Sequence, residues 1–582
     1  MPTMTGGEVI VRMLKEEGVN KVFGIVDGSY FGFYSNCPKY GIRLITPRHE
    51  ATALHMAGAC ARLTGEVGVC MASSGPGVAN ALSAIPAENA EGNRVLLITS
   101  SRRTGITDPQ RVGAYQHFDQ VEVIRPMAKG SASARSLVRI PELMRWAFRL
   151  LHTGRPGLVH LDVPEDVMNG KGKMEGFWSP GQYRRAEPLH PAPGQAERAA
   201  RMLVEAGLPL IHAGSGVIHA GASEELARLA ETLHAPVTTS WAARGVLPET
   251  SPLAWPMVHV KAVNEVRNRA DLALCLGSRL GETDWWGKAP YWRRPPEQRM
   301  IQVDVEEDAL GRIRPNEMAV LSDVKVFLRQ VLECLEGEKS RIPLEKRKEA
   351  VAGLAKGRDE DRGRLDQKLN DLSVPMLTGH VPAVCRQVFA DDAVAVFDGG
   401  NTAVWSQFFH QVRVPNTQLS THHFGMLGAG VGQALGAAVA RPDKQVYCII
   451  GDGAFGFHPQ EIETAVRNGL KVVFLVICDR QWGMVKMNQQ FTLKPLKTMI
   501  RKSLSPEETI NTDLGEIQFD KLAEAMGGHG ERVSDPGLLR AALERSLASG
   551  KCAVIHVDVD PVKHMWAPGL MHFKDMHKEP AG

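Results

Sequence analysis

VYCIIGDGAFGFHPQEIETAVRNGLKVVFLVICDRQWGMV, residues Val446–Val485, is the stretch on which the fold class turns. A short apolar run ends at Gly451-Asp452-Gly453, and a second ends at Asp479, 27 residues after Asp452. Between them EIETAVRNGL, Glu461–Leu470, carries its apolar residues at helical spacing. Strand, helix and strand in this order predict a right-handed crossover and a parallel sheet covered on both faces. Such sheets bind ligands in the crevice at the carboxyl ends of their strands, where both acids fall. The glycines let backbone approach a diphosphate closely, and the following helix offers it free N–H groups. Hard oxygen donors beside phosphate suit Mg²⁺. A Gly-Asp-Gly turn alone also closes many ordinary strands; the second acid and the intervening helix distinguish the two readings.

The same alternation runs outward along the chain. VFGIV (Val22–Val26), VGVCMA (Val67–Ala72), VLLIT (Val95–Thr99) and GLVHLDV (Gly157–Val163) are strand-like runs separated by helical patterns. A Pro-rich break at Ala186–Gly194 is followed by PLIHAG, PVTTS, LALCLG and MIQVDV. A charged stretch from Gly337 to Ser373 reads as a solvated helical linker before the third set of strands. The predicted architecture is α/β, with three consecutive doubly wound parallel-sheet domains, the middle one Rossmann-like. The expected boundaries are 1–185, 190–340, a linker 341–374, and 375–582. The repetition is one of pattern, with no evident residue-level repeat.

Composition narrows the class. The 582 residues carry a formal charge of +3, 43% hydrophobic and 23% charged residues, without a long basic run. This argues against nucleic acid or a membrane surface as partner. No run reaches the length needed to span a bilayer, and the opening residues lack a signal-peptide pattern. Nine scattered cysteines without a CxxC pair read as reduced thiols in a cytoplasmic protein.

With these residues in view, the chain resembles the thiamin-diphosphate enzymes of the acetolactate synthase, pyruvate decarboxylase and 2-hydroxyacyl-CoA lyase type. In that family the Gly-Asp-Gly signature closes on paired asparagines; here the pair is Cys478-Asp479. The resemblance implies Asp452 and Asp479 as Mg²⁺ ligands, with the main-chain carbonyl of Gln481 as the third. It assigns Gly451, Gly453, Ala454, Trp482 and Met484 to the cofactor. Asp398–Thr402 (DGGNT) matches the segment contacting the diphosphate, through Asn401 and Thr402. FGMLGAGVGQALGAA, Phe424–Ala438, matches the segment beneath the cofactor, with Gly425 lining it and Leu427 as the aliphatic wedge between the two rings.

PRHEATALHMAGACARLTG, Pro47–Gly65, is similar to the family's activating stretch, so Glu50 takes the role of hydrogen-bonding a pyrimidine nitrogen. Alone, a glutamate opening a helix is a favourable charge at the helix dipole. SSGPGVANALSAIPAE, Ser73–Glu88, follows at the expected distance and brings Gly75 to the cofactor. Family enzymes use this glutamate across a subunit interface, which implies at least a homodimer, with a homotetramer as the expected assembly.

Within Ala114–Ser131, Gln116 matches a glutamine facing the reaction centre, and His117 replaces the usual glutamate as a proton carrier or a packing residue. Ser29 stands where some decarboxylases also place a serine. Lys129 and Arg279 fall where acetolactate synthases carry basic residues. Asn488 replaces a tryptophan of the branched-chain biosynthetic enzymes, and their FAD-linked segment reads WPMVHVKAVNEV here. The implied enzyme is therefore a 2-oxo acid decarboxylase or carboligase other than the branched-chain biosynthetic one. The nearest alternative is a lyase or ligase acting on 2-hydroxyacyl-CoA or an acyloin. Its small-molecule partners would be a 2-oxo acid, an aldehyde or an acyl-CoA. FAD, ADP or CoA in the central domain is left open by the loose IHAGSGVIHAG glycines, and Trp285-Trp286 and the tail Val562–Asp575 are candidates to shape the pocket. A silent cofactor-binding scaffold and a Rossmann dehydrogenase are rivals of other classes; the latter lacks a GxGxxG after its first strand.

Overall fold

The computed structural model describes residues 2–175, 177–570 and 572. Three six-stranded sheets, each wholly parallel, follow one another along the chain. In space the first runs Arg43–Ile45, Lys21–Gly24, Gly68–Ala72, Val95–Ser101, Leu158–Pro164, Gly130–Ser133. The third runs Gln418–Leu419, Val394–Asp398, Val446–Gly451, Val472–Cys478, Ala553–Asp558, His529–Val533. Counted in chain order, both have the strand order 2-1-3-4-6-5. The repeat that the residues conceal is thus plain in the topology. The middle sheet, from Pro209–Ala213 to Met318–Leu321, has the order 3-2-1-4-5-6 of dinucleotide-binding domains. A two-stranded antiparallel ribbon joins Thr3–Thr5 to Lys171–Lys173.

Central strands such as Val472–Cys478 are buried along their whole length, which is why they read as unbroken apolar runs. The first and third domains meet through equivalent helices, Glu50–Thr64 and Ala429–Ala440, each following the second strand of its sheet. Glycine permits this approach: a Cβ on Gly432 would lie 2.7 Å from His55 Cβ, and one on Gly436 2.5 Å from the Met56 carbonyl. The helix Glu50–Thr64 is therefore buried on nearly all sides.

The charged stretch forms a 25-residue helix, Leu344–Lys368, that contributes Val351, Leu354 and Leu365 to the central core. Its Arg347 is fully buried and donates to the carbonyls of Leu203, Val204, Ala206 and Leu233, at 2.7 to 3.1 Å. These carbonyls end the helices Gln195–Glu205 and Ser223–Leu233, so one guanidinium caps both. Among the described residues no helix is long and apolar enough to cross a membrane.

Candidate active site

Asp452 and Asp479 stand at the carboxyl ends of adjacent strands, Val446–Gly451 and Val472–Cys478. Asp452 accepts from the backbone N–H of Gly453 at 2.7 Å and of Arg480 at 2.8 Å. Arg480 reaches it from the left-handed region, φ 56°. Burial, and for Asp452 the neighbouring Asp479 charge, pushes both carboxyls above the ordinary range. Two buried acids held together in this way are a latent cation site. Among the described residues no third His, Cys, Asp or Glu completes a metal cluster with them. A Mg²⁺ held here would complete its shell with backbone, phosphate or water oxygens. Gln481 is held alongside, its side chain donating to the Pro561 carbonyl at 2.8 Å.

Asn401 lies in the first turn of the helix Gly400–Phe409, buried, with neither its amide nitrogen nor its oxygen hydrogen-bonded. A Cβ on Gly483 would come 2.8 Å from Asn401 Nδ2 and 3.1 Å from Asp479 Oδ2, so the amide and the acid converge on one spot. A buried unsatisfied amide beside a helix N-terminus and a cation site fits a diphosphate. The glycines fit it too: Gly399 has φ 97°, and a Cβ on Gly451 would sit 3.1 Å from Thr402 Oγ1. Trp482 closes the turn from behind, its ring 2.7 Å from where a Gly453 Cβ would be, and Ala454 is buried beside it.

A cavity of about 370 Å³ opens next to this cradle, lined by Asp398, Gly399, Gly425, Leu427, Met484 and Asn488. Leu427 lies in the turn before the helix Ala429–Ala440, half-buried against the core and facing the cavity. Asp398 accepts from Gly399 N–H at 2.5 Å and Gly430 N–H at 2.8 Å; burial raises its carboxyl to about 6. Leu570 of the tail also lines this cavity. Met571 and Phe573–Asp575, also in the segment considered for closure, lie outside the described residues.

The first sheet holds a second group at the carboxyl ends of its strands. Glu50 is buried at the start of its helix, accepts from Asn80 Nδ2 at 3.0 Å and abuts Gly77. Ser29 Oγ lies 2.5 Å from Ser100 Oγ, which accepts from Ser74 N–H at 2.9 Å. Ser74 Oγ donates to the Gln116 carbonyl at 3.2 Å. Gly75 is required here: its φ is +67° and a Cβ would lie 2.5 Å from that carbonyl. Gln116 itself has φ 52° and an exposed side chain, and His117 is half-buried. The loop is anchored by Gln120, whose amide donates to Asp162 at 2.6 Å and to the Ser100 carbonyl at 2.8 Å. Ser29, Gly75 and Gln116 are thus brought together with Glu50 nearby, yet none of the four lines the 370 Å³ cavity of the same chain.

A larger cavity, about 1180 Å³, lies where the central domain meets the other two. Lys129 and Arg279 face it, together with Arg94, Arg155, Arg184 and Arg312, rather than the smaller cavity. Lys129 donates to the Thr153 and Arg155 carbonyls, and burial lowers it to about 8. Trp286 lines this cavity, whereas Trp285 is buried and stacked on Tyr291 at 3.5 Å. Sequence reasoning missed Trp241, Thr283 and His422, and reached His564 only as part of the tail Val562–Asp575. His564 is bonded to Thr378 at 2.7 Å and lies 3.8 Å from Asp479 Oδ2. Trp241 and Thr283 reach the smaller cavity from another domain, so no local motif points to them. His422-His423 directly precedes the glycine segment, and an adjacent histidine pair there was a readable signal.

Family models match all three parts of the chain. They are those of the thiamine pyrophosphate enzymes: the N-terminal TPP binding domain over residues 4–123, the central domain over 196–331 and the C-terminal TPP binding domain over 398–557. The chain belongs to this family, and it is a thiamin-diphosphate-dependent enzyme acting on carbon–carbon bonds. Within the family it is acetolactate-synthase-like. It is 30% identical to a probable acetolactate synthase large subunit of Methanocaldococcus jannaschii, over 96% of this chain and 93% of that one. It is 32% identical to the acetolactate synthase large subunit IlvG of Mycobacterium tuberculosis, over 96% of each. A 2-hydroxyacyl-CoA lyase of Arabidopsis thaliana is 28% identical over 98% of each.

Proposed function

We propose that this enzyme is a Mg²⁺-dependent 2-oxo acid decarboxylase or carboligase. The observation that carries the reading is the unsatisfied Asn401 amide beside the Asp452–Asp479 pair, next to a cavity walled by Leu427. When bound, thiamin diphosphate supplies the nucleophilic carbon and the electron sink. Asp452, Asp479 and the Gln481 carbonyl would hold the cation. Asn401 and Thr402, with the backbone that Gly451 and Gly453 leave uncovered, would hold the diphosphate; Ala454, Trp482 and Met484 would frame it. Leu427 would stand between the two rings of the cofactor, with Gly425 giving them room. Glu50 would hydrogen-bond the pyrimidine through its carboxyl, positioned to hold a proton there. Gly75 keeps Gln116 in place, and Gln116, His117 and Ser29 meet the reacting carbonyl.

Because Glu50 and Leu427 serve different crevices in one chain, a second copy is proposed to bring them together. Exposed Tyr115, Phe424, Val485 and Ile500 support a homodimer, two of which would make the homotetramer. Nine free cysteines, all but Cys334 buried, support a reducing, cytoplasmic setting. The arginine-rich cavity of the central domain favours a second reading, cleavage or ligation of a 2-hydroxyacyl-CoA or acyloin, with the CoA, an ADP or FAD held there. One screen tests both: enzyme loaded with thiamin diphosphate and Mg²⁺ is offered 2-oxo acids, 2-hydroxyacyl-CoA and acyloins. CO₂ release supports the first reading. Aldehyde release without CO₂ replaces it with the second.

A further inference from the structure

The two cavities are neighbours, and among the described residues Thr283 and His422 alone line both. Each is held from behind. His423 N–H donates to Glu91 Oε1 of the first domain at 2.7 Å, and Gly425 N–H closes a turn onto the Thr421 carbonyl at 2.8 Å. His422 is therefore clamped between an anchored neighbour and a closed turn. Thr283 precedes Asp284, which is fully buried and pinned by Arg267 at 3.0 Å and His212 at 3.4 Å. Leu280, Trp285 and Trp286 hold the same segment in left-handed conformations, φ 49° to 55°. Strain of this kind persists only where the surroundings over-determine the backbone.

The two sides differ in chemistry. The large cavity presents several arginines, and the small one presents Leu427, Met484, Val404 and Leu570. Burial, then the charges of His423, Arg62 and Arg244, holds the His422 imidazole down to about 3, so it is neutral at physiological pH. A neutral ring can face an apolar substrate chain without bringing a charge to it.

We propose that His422, with Thr283, is the wall that limits substrate length: it closes the reaction cavity against the arginine-lined one, and removing its ring lets longer carbon chains enter. This rests on the reading that the substrate carbonyl reacts in the smaller cavity. A rigid wall rejects an added methylene by overlap, which is a specificity device distinct from charge recognition.

The test uses the holoenzyme with thiamin diphosphate and Mg²⁺, and straight-chain 2-oxo acids from pyruvate to 2-oxooctanoate. His422→Ala is expected to raise the long-to-short ratio of kcat/KM about tenfold, while His422→Gln, which keeps the bulk, follows the wild-type ratio. An unchanged ratio in His422→Ala overturns the wall. Should that variant fail to bind cofactor, Thr283→Gly opens the same wall from the other side, and an unchanged ratio there overturns it equally. If no 2-oxo acid releases CO₂, the decarboxylase reading fails by itself. Calorimetric binding of alkyl acylphosphonates of increasing chain length then decides the wall without turnover: a length limit relaxed in His422→Ala supports it, and identical length dependence overturns it.

Discussion

The first and third sheets share one strand order and place equivalent helices back to back, yet their crevices are equipped oppositely. After its third strand the first sheet offers Ser73, Ser74 and Gly75, with Glu50 across from them; the third offers Asp452, and Asp479 one strand on. Hydroxyls, a glycine and a lone acid suit directional hydrogen bonds to a ring. Paired buried acids next to an unsatisfied amide suit a cation and phosphate. The topology supplies two equal crevices, and a few strand-end side chains decide what each can hold.

If the third crevice alone grips the cofactor, Asp452→Ala or Asp479→Ala should weaken thiamin diphosphate binding in saturating Mg²⁺ by about 100-fold or more. Asp479→Asn, which keeps an oxygen ligand, should cost about tenfold or less. Calorimetry measures both, and equal affinity in all three variants would dissolve the contrast. Because protons compete for the same raised carboxyls, Mg²⁺ should bind more weakly as pH falls through their titration.

The first crevice should instead act on rate. Glu50→Gln is expected to slow cofactor C2 proton exchange, followed by deuterium incorporation, by about 10² or more. Its cofactor affinity should change only severalfold. A variant that loses binding but exchanges normally would reverse the roles of the crevices.

A last effect, on stability rather than on binding or rate, probes the joint between them. Glu91 is buried and its carboxyl is raised from 4.5 to about 7, chiefly by burial. A raised folded-state value means that its stabilising contribution is complete below 4.5 and is lost as pH rises through 7. Relative to Glu91→Gln, the wild type should lose on the order of 3 kcal/mol between those limits. Thermal melts at several pH values measure it; parallel curves would remove Glu91 from the joint.

The acid pair and the three-sheet architecture were legible because both are written locally. Val446–Gly451 and Val472–Cys478 are unbroken apolar runs, and each leads straight into one acid of the pair. Glu50 was singled out through the stretch around it. Thr283 and Trp241 were not, because they reach the smaller cavity from a domain with its own separate pattern. His564 was singled out only within the tail Val562–Asp575; its place beside Asp479 was hidden, because it comes near only after the last strand of the sheet returns to the centre.

The buried Arg347 has a consequence for how the chain divides. Hydrophobicity fades before the helix Leu344–Lys368, and a cut placed there would look harmless. It would uncork the ends of two central helices at once, stranding four carbonyls that one guanidinium had served. The middle layer's true edge lies beyond its last strand, inside a segment whose charge disguises it as mere tether.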